Sequence, residues 1–233
     1  MSLQKAVVLV PSLGRPASDF AQLEKDLASA GFTPLLVEPF PEWEGEPTLH
    51  DLASAVVANL EEQGVTQFHL VGHAFGNRLS RCITADFNSR VESLTLLAAG
   101  GLVEPEPHIW RALSQCYNTE LSSDEHLSYV KQAFFADGND PTVWRDGWMP
   151  TVMRYQRAAV QRTPRDEWWS ANVDRVLVVQ GLQDAIAPVE NGRRYKAESA
   201  PHARLVEVNN AGHALLPEQP EAIAEAVLTF LSE

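Results

Sequence analysis

FHLVGHAFGN, residues 68 to 77, runs from an apolar stretch into two glycines, Gly72 and Gly76, set around Ala74. The run is too short for a helix, and the residues after it favour one. The stretch therefore reads as a strand that enters a sharp turn and leaves as a helix. Small residues at 72, 74 and 76 suit a strained turn whose neighbours approach closely.

The same punctuation recurs along the chain. Apolar, β-branched runs stand at Ala6–Pro11, Pro34–Val37, Phe68–Val71, Leu94–Ala98, Val176–Val179 and Leu205–Val208. Each is too continuous for a strand buried on one face only, so parallel strands covered on both faces fit them. Helical patterns lie between: Ala17–Ala30, Thr48–Gln63, Phe75–Asn88, Val189–Ser199, and a last one from Pro217 to Leu231 with Glu218 in its first turn. The expected fold is α/β, a mostly parallel, doubly wound sheet of about six strands. The alternation breaks once. Residues 101–174 carry no strand pattern but hold five of the six tryptophans, Trp110, Trp144, Trp148, Trp168 and Trp169. We expect a core of residues 1–100 and 175–233, with 101–174 inserted as a helical, aromatic-rich cap. Trp110, Trp144 and Trp148 are its candidate substrate contacts.

Composition narrows the function. At 233 residues with a hydrophobic fraction of 45%, the chain has enough material for one sizeable core. The net charge of −13 argues against a nucleic-acid partner, because phosphate binding needs a basic face. No run approaches the roughly 18 apolar residues of a membrane span. Two lone cysteines, Cys82 and Cys116, and a start without a long apolar signal core lead us to expect a cytoplasmic protein. His50, His108, His126 and His202 show no metal-ligand spacing, and no glycine-rich phosphate cradle appears, so neither metal nor organic cofactor is expected. Oligomeric state stays open.

In a doubly wound sheet, chemistry collects outside the carboxyl ends of the strands. Four short motifs fall there: Pro11-Ser12-Leu13-Gly14-Arg15, Gly72-His73-Ala74-Phe75-Gly76, Gly181-Leu182-Gln183-Asp184, and Asn210-Ala211-Gly212-His213. Their order and placement resemble the α/β-hydrolase superfamily, in its single-domain branch with a helical cap, although the family's two leading antiparallel strands are missing. The resemblance implies a nucleophile–acid–base sequence, which maps onto Ala74, Asp184 and His213. It implies oxyanion donors at the backbone N–H groups of Leu13 and Phe75. A histidine held in one tautomer by a carboxylate is the base such chemistry needs. His73 and His69 read as structural, Arg15 as a solvated surface residue, and Ser12 as a loop residue bonded to nearby backbone.

Alanine at the nucleophile position departs from the family pattern, as does Pro11-Ser12 where His-Gly is usual. Acyl-enzyme chemistry by the usual route is closed without a hydroxyl at 74. Three readings follow. Ala74 replaces a natural serine; or the alanine is natural and the His213–Asp184 pair serves as a general base, with Ser12 orienting the substrate; or the chain binds a ligand without turning it over. The expected partner is a small, hydrophobic ester, lactone or activated carbonyl compound.

Overall fold

The computed structural model describes residues 5–170 and 173–233. Six strands form one sheet: β1 (Ala6–Val10), β2 (Thr33–Leu36), β3 (Phe68–His73), β4 (Val91–Leu97), β5 (Val176–Gly181) and β6 (Arg204–Val208). Their order is β2-β1-β3-β4-β5-β6, and every pairing is parallel. The chain winds outward from β1 to β2, then crosses to the other side for β3. The switch point lies between β1 and β3, where an open α/β sheet has its binding crevice.

Successive side chains of a strand point to opposite faces, and the two apolar cores sort by that period. Val7, Leu9, Val71, Leu97, Leu177 and Val179 face α1 (Ala21–Ser29) and α10 (Pro220–Leu231). Val8, Val10, Leu70, Leu94, Leu96 and Val178 face α2 (Leu49–Glu62) and α3 (Phe75–Asp86). Thr48 starts α2 with a reciprocal capping box, its hydroxyl accepting from Asp51 N–H while the Asp51 carboxylate accepts from Thr48 N–H. The last helix begins at Pro220, not at Pro217. Pro217 sits inside a separate short helix, α9 (Leu215–Glu218), and Gln219 breaks the two apart with φ −140° and ψ 58°.

Between β4 and β5 lie α4 (Pro107–Gln115), α5 (Ser123–Phe134), α6 (Pro150–Arg162) and α7 (Arg165–Trp168). This segment divides in two. Helices α4 and α5 share an apolar cluster with Trp144, which meets the sheet side through Ala214 and Ile186. Helices α6 and α7 send Val152, Tyr155, Ala159 and Trp168 into the core beneath α2 and α3. The remaining helix, α8 (Glu190–Glu198), buries Tyr195 in that same core. Among the described residues no helix is long and apolar enough to cross a membrane.

Three helices are tied together at one polar junction that sequence spacing did not reveal. His50 on α2 pairs through Nδ1 with Asp86 of α3 at 2.7 Å and through Nε2 with Glu167 of α7 at 2.9 Å. Cys82 Sγ lies 3.4 Å from His50 Nδ1, so His50, Cys82 and Asp86 converge although nothing in their spacing suggests it. The Asp86 hydrogen bond, reinforced by Glu167, raises the His50 pKa above its ordinary 6.5. A histidine whose pKa rises on folding contributes stability that is full below the unfolded value and is lost as pH climbs through the folded one. The loss in melting temperature on His50→Gln is therefore expected to be larger at about pH 6 than at about pH 9. Calorimetry at the two pH values checks it; an equal loss at both contradicts the ion-pair assignment.

Candidate active site

The turn after β3 is tightly packed. Ala74 has φ 52° and ψ −107°, a conformation that alanine seldom adopts. A Cβ on Gly72 would lie 2.3 Å from the Gly76 carbonyl oxygen, and one on Gly76 only 2.0 Å from the Val10 carbonyl oxygen. Both positions therefore accept glycine alone, because the turn is pressed against the end of β1. Ala74 N–H donates to Leu97 O at 2.9 Å, which ties the turn to β4 as well. Helix α3 starts directly afterwards, so its first N–H groups, Phe75 among them, have no carbonyl one turn behind them.

The loop after β1 comes alongside. Its backbone groups are claimed by the helical segment: Gln156 Oε1 accepts from Gly14 N–H at 2.8 Å, Gly14 O accepts from Met149 N–H at 2.9 Å, and Tyr117 donates to Leu13 O at 2.5 Å. Ser12 is 2% exposed, yet its hydroxyl makes no hydrogen bond among the described residues, contrary to the backbone bond expected of it.

Asp184 and His213 meet from the ends of β5 and β6. His213 Nδ1 lies 2.9 Å from Asp184 Oδ2 and 3.1 Å from Oδ1. Asp184 Oδ1 also accepts from the N–H groups of Ile186 and Ala187, at 2.9 and 2.7 Å, which fixes the carboxylate. With Nδ1 so engaged, Nε2 is the nitrogen left for a ligand. The histidine loop is braced on both sides. His73 Nε2 donates to His213 O at 2.7 Å, and burial pushes the His73 pKa down to about 3, so His73 is neutral. Glu218 accepts from Gly212 N–H at 2.8 Å, and from Ala136 N–H and Asn139 Nδ2 at 2.7 Å each. Glu218 was legible only as an acid in a first helical turn. In the structure it fastens the histidine loop to the end of α5.

A cavity of about 220 Å³ opens onto this corner, and Ser12, Leu13, Ala74, Phe75, Trp110 and His213 all line it. Trp144 and Trp148 do not. Trp144 is 2% exposed, and both indoles stack on the Arg15 guanidinium, its central carbon 4.5 and 4.7 Å from their ring centres. Arg15 is thus not a solvated surface residue. It is 2% exposed, bonds both oxygens of Asp19 at 2.8 and 2.9 Å, and donates to Asp146 O at 2.7 Å. Nothing near Arg15 in sequence signals that two tryptophans about 130 positions away would close over it. Arg78 and Gln156 at the same corner lack any motif that would single them out in the sequence.

Burial raises the Asp19 carboxyl above its usual range while Arg15 pulls it back. Removing Arg15 would leave that carboxylate enclosed without its counter-charge. Arg15→Met is expected to cost about 3–5 kcal/mol in urea unfolding, and adding Asp19→Leu to recover most of it. A loss under about 1 kcal/mol, the range of an exposed pair, would contradict the arrangement.

A sequence model of the alpha/beta hydrolase family matches residues 7–226. Among curated relatives, a protein of Caulobacter sp. (strain K31) bearing the name carbamate hydrolase RutD is 26% identical over 205 residues, 79% of this chain and 73% of the relative. Among solved structures, a hydrolase from Pseudomonas aeruginosa superposes with a TM-score of 0.80 at 22% identity, covering 98% of this chain and 90% of that one. An esterase from Exiguobacterium antarcticum reaches 0.82 at 16% identity, over 100% and 94%. The solved structures share the fold, the family model spans nearly the whole sequence, and the chain belongs to the α/β-hydrolase family.

Proposed function

We propose that the chain hydrolyses small, largely apolar esters, lactones or activated carbonyl compounds, with His213 activating water directly because the elbow position holds no side-chain nucleophile. The observation that carries this reading is the His213–Asp184 pair: buried and bonded at 2.9 Å, it presents His213 to a cavity that Ala74 also borders. A histidine oriented by an enclosed carboxylate is built to accept a proton, a role that a passive binding wall does not require.

The chemistry balances without serine. His213 Nε2 takes a proton from water as the water oxygen bonds to the substrate carbonyl carbon. The charge that develops on the carbonyl oxygen is met by the N–H groups of Phe75 and Leu13, two residues that border the cavity. Collapse of the intermediate breaks the bond to the leaving alcohol, which receives the proton back from His213. Asp184 stays ionised throughout and stabilises the imidazolium. Ser12, buried with an unengaged hydroxyl at the cavity wall, is the group that orients the substrate. Helices α4 and α5 act as the lid, with Trp110 as their contact to the ligand. The carbamate hydrolase name of one relative fits this class of carbonyl chemistry. Two unpaired cysteines suit a reducing, cytoplasmic setting.

Replacing His213 by alanine is expected to lower p-nitrophenyl acetate turnover by about 100-fold or more, the usual contribution of a general base. Ala74→Ser is expected to gain covalent labelling by a serine-directed phosphonate, since position 74 and His213 border one cavity. Turnover that survives His213→Ala unchanged would remove the pair as the base; saturable uptake of the ester with no product would make the chain a binder.

A further inference from the structure

Leu13, Phe75, Val103, Leu113, Phe134 and Ile186 give the cavity an apolar wall, yet an arginine shares it. Arg78 stands four residues after Ala74 on α3, one turn along the same helical face. Its side chain is half-buried, and desolvation holds the guanidinium below its ordinary pKa. It makes no hydrogen bond and no ion pair among the described residues; its one ring contact is with Trp168, 5.8 Å from guanidinium carbon to ring centre. Glu104 borders the same cavity, exposed and beyond ion-pair distance, and its charge offsets only part of the effect of burial on Arg78. Arg157, on α6, borders it too and is likewise without a hydrogen bond or ion pair among the described residues.

The contrast with Arg15 is instructive. That guanidinium is more deeply enclosed, but it has Asp19 and a backbone carbonyl. A cation withdrawn from water without a counter-charge is costly unless something supplies one. A guanidinium presents a planar fork of donors that fits a carboxylate through two parallel hydrogen bonds.

We propose that Arg78, with Arg157 beside the same cavity, seats a carboxylate of the substrate, so that the substrate class is a small apolar carbonyl compound bearing an anionic carboxylate a short spacer from the reacting carbon. This rests on the cavity being the substrate site. The carboxylate end would lie against α3 one turn beyond the elbow, with the reacting carbonyl between His213 and the amides of Leu13 and Phe75. The anionic group then selects and orients the ligand, while the pair of His213 and Asp184 performs the chemistry.

Equilibrium binding tests the seat apart from turnover. Isothermal titration of the unmodified chain with phenylacetate and with its neutral isostere phenylacetamide is expected to show the anion bound about tenfold tighter or more, the value of a charge-assisted hydrogen bond. Arg78→Met is expected to erase the preference while phenylacetamide still binds. Arg78→Lys keeps the stem and charge but loses the fork; it weakens phenylacetate alone and carries the test if the methionine variant fails to fold. His213→Ala is expected to keep the preference, so a failed base and a failed seat give different results. The proposal is overturned by equal affinity for the two ligands in the unmodified chain, by a preference that survives Arg78→Met, by one lost only in Arg157→Met, or by equal losses for both ligands in Arg78→Lys.

Discussion

The turn at residues 72–76 can be built only where two pieces of backbone come nearly into contact. Gly76 lies so close to the Val10 carbonyl that no side chain fits between them, and Gly72 is pressed as tightly against Gly76. That approach locks the carboxyl ends of β1 and β3 together at the switch point of the sheet. It also forces Ala74 into a left-handed conformation, a strain of about 1–3 kcal/mol that persists only where surrounding structure over-determines it. The hydrogen bond from Ala74 N–H to Leu97 O and the docking of α3 supply that determination. The rest of the corner inherits its position. Leu13 and Phe75 border one cavity because the two strand ends that carry them cannot separate.

A second set of constraints holds the opposite wall. Asp184 is pinned by two backbone N–H groups, His213 by Asp184, and the loop around His213 by His73 and Glu218. Glu218 and the Phe134 carbonyl, which accepts from Ala214 N–H, join this loop to the end of α5. Tyr117 and Gln156 join α4's end and α6 to the loop after β1. The helices between β4 and β5 are thus fastened to both sides of the cavity by hydrogen bonds to backbone. A residue lost from such a fastening leaves its partner buried and unpaired, which costs about 1–3 kcal/mol.

How much of this was legible in the sequence depended on the range of the interaction. The sheet was readable because strand periodicity and turn residues are local, and the alternation of Val7 and Leu9 with Val8 and Val10 divides the two cores as the period demands. The convergence of Asp184 and His213 could be anticipated because both follow strands of one parallel sheet, whose carboxyl ends share an edge. The long-range side-chain partnerships could not. Arg15 looks like an ordinary loop cation until Trp144 and Trp148 fold over it. His50 has no nearby histidine or cysteine in sequence, yet meets Asp86, Cys82 and Glu167 across three helices. The start of the last helix was misplaced because Pro217 and Pro220 both carry a helix-start signal, and packing against α1 chose the second.

In the proposed reaction water attacks the substrate directly, with no covalent stage on the protein. Intact-mass spectrometry of the chain, acid-quenched during turnover of an activated ester, tests it most directly. Direct attack by water leaves the protein at unchanged mass while product accumulates, with oxygen-18 from labelled water appearing in the released acid. A protein heavier by the acyl group, mapped to Ser12 or any other side chain, would contradict it.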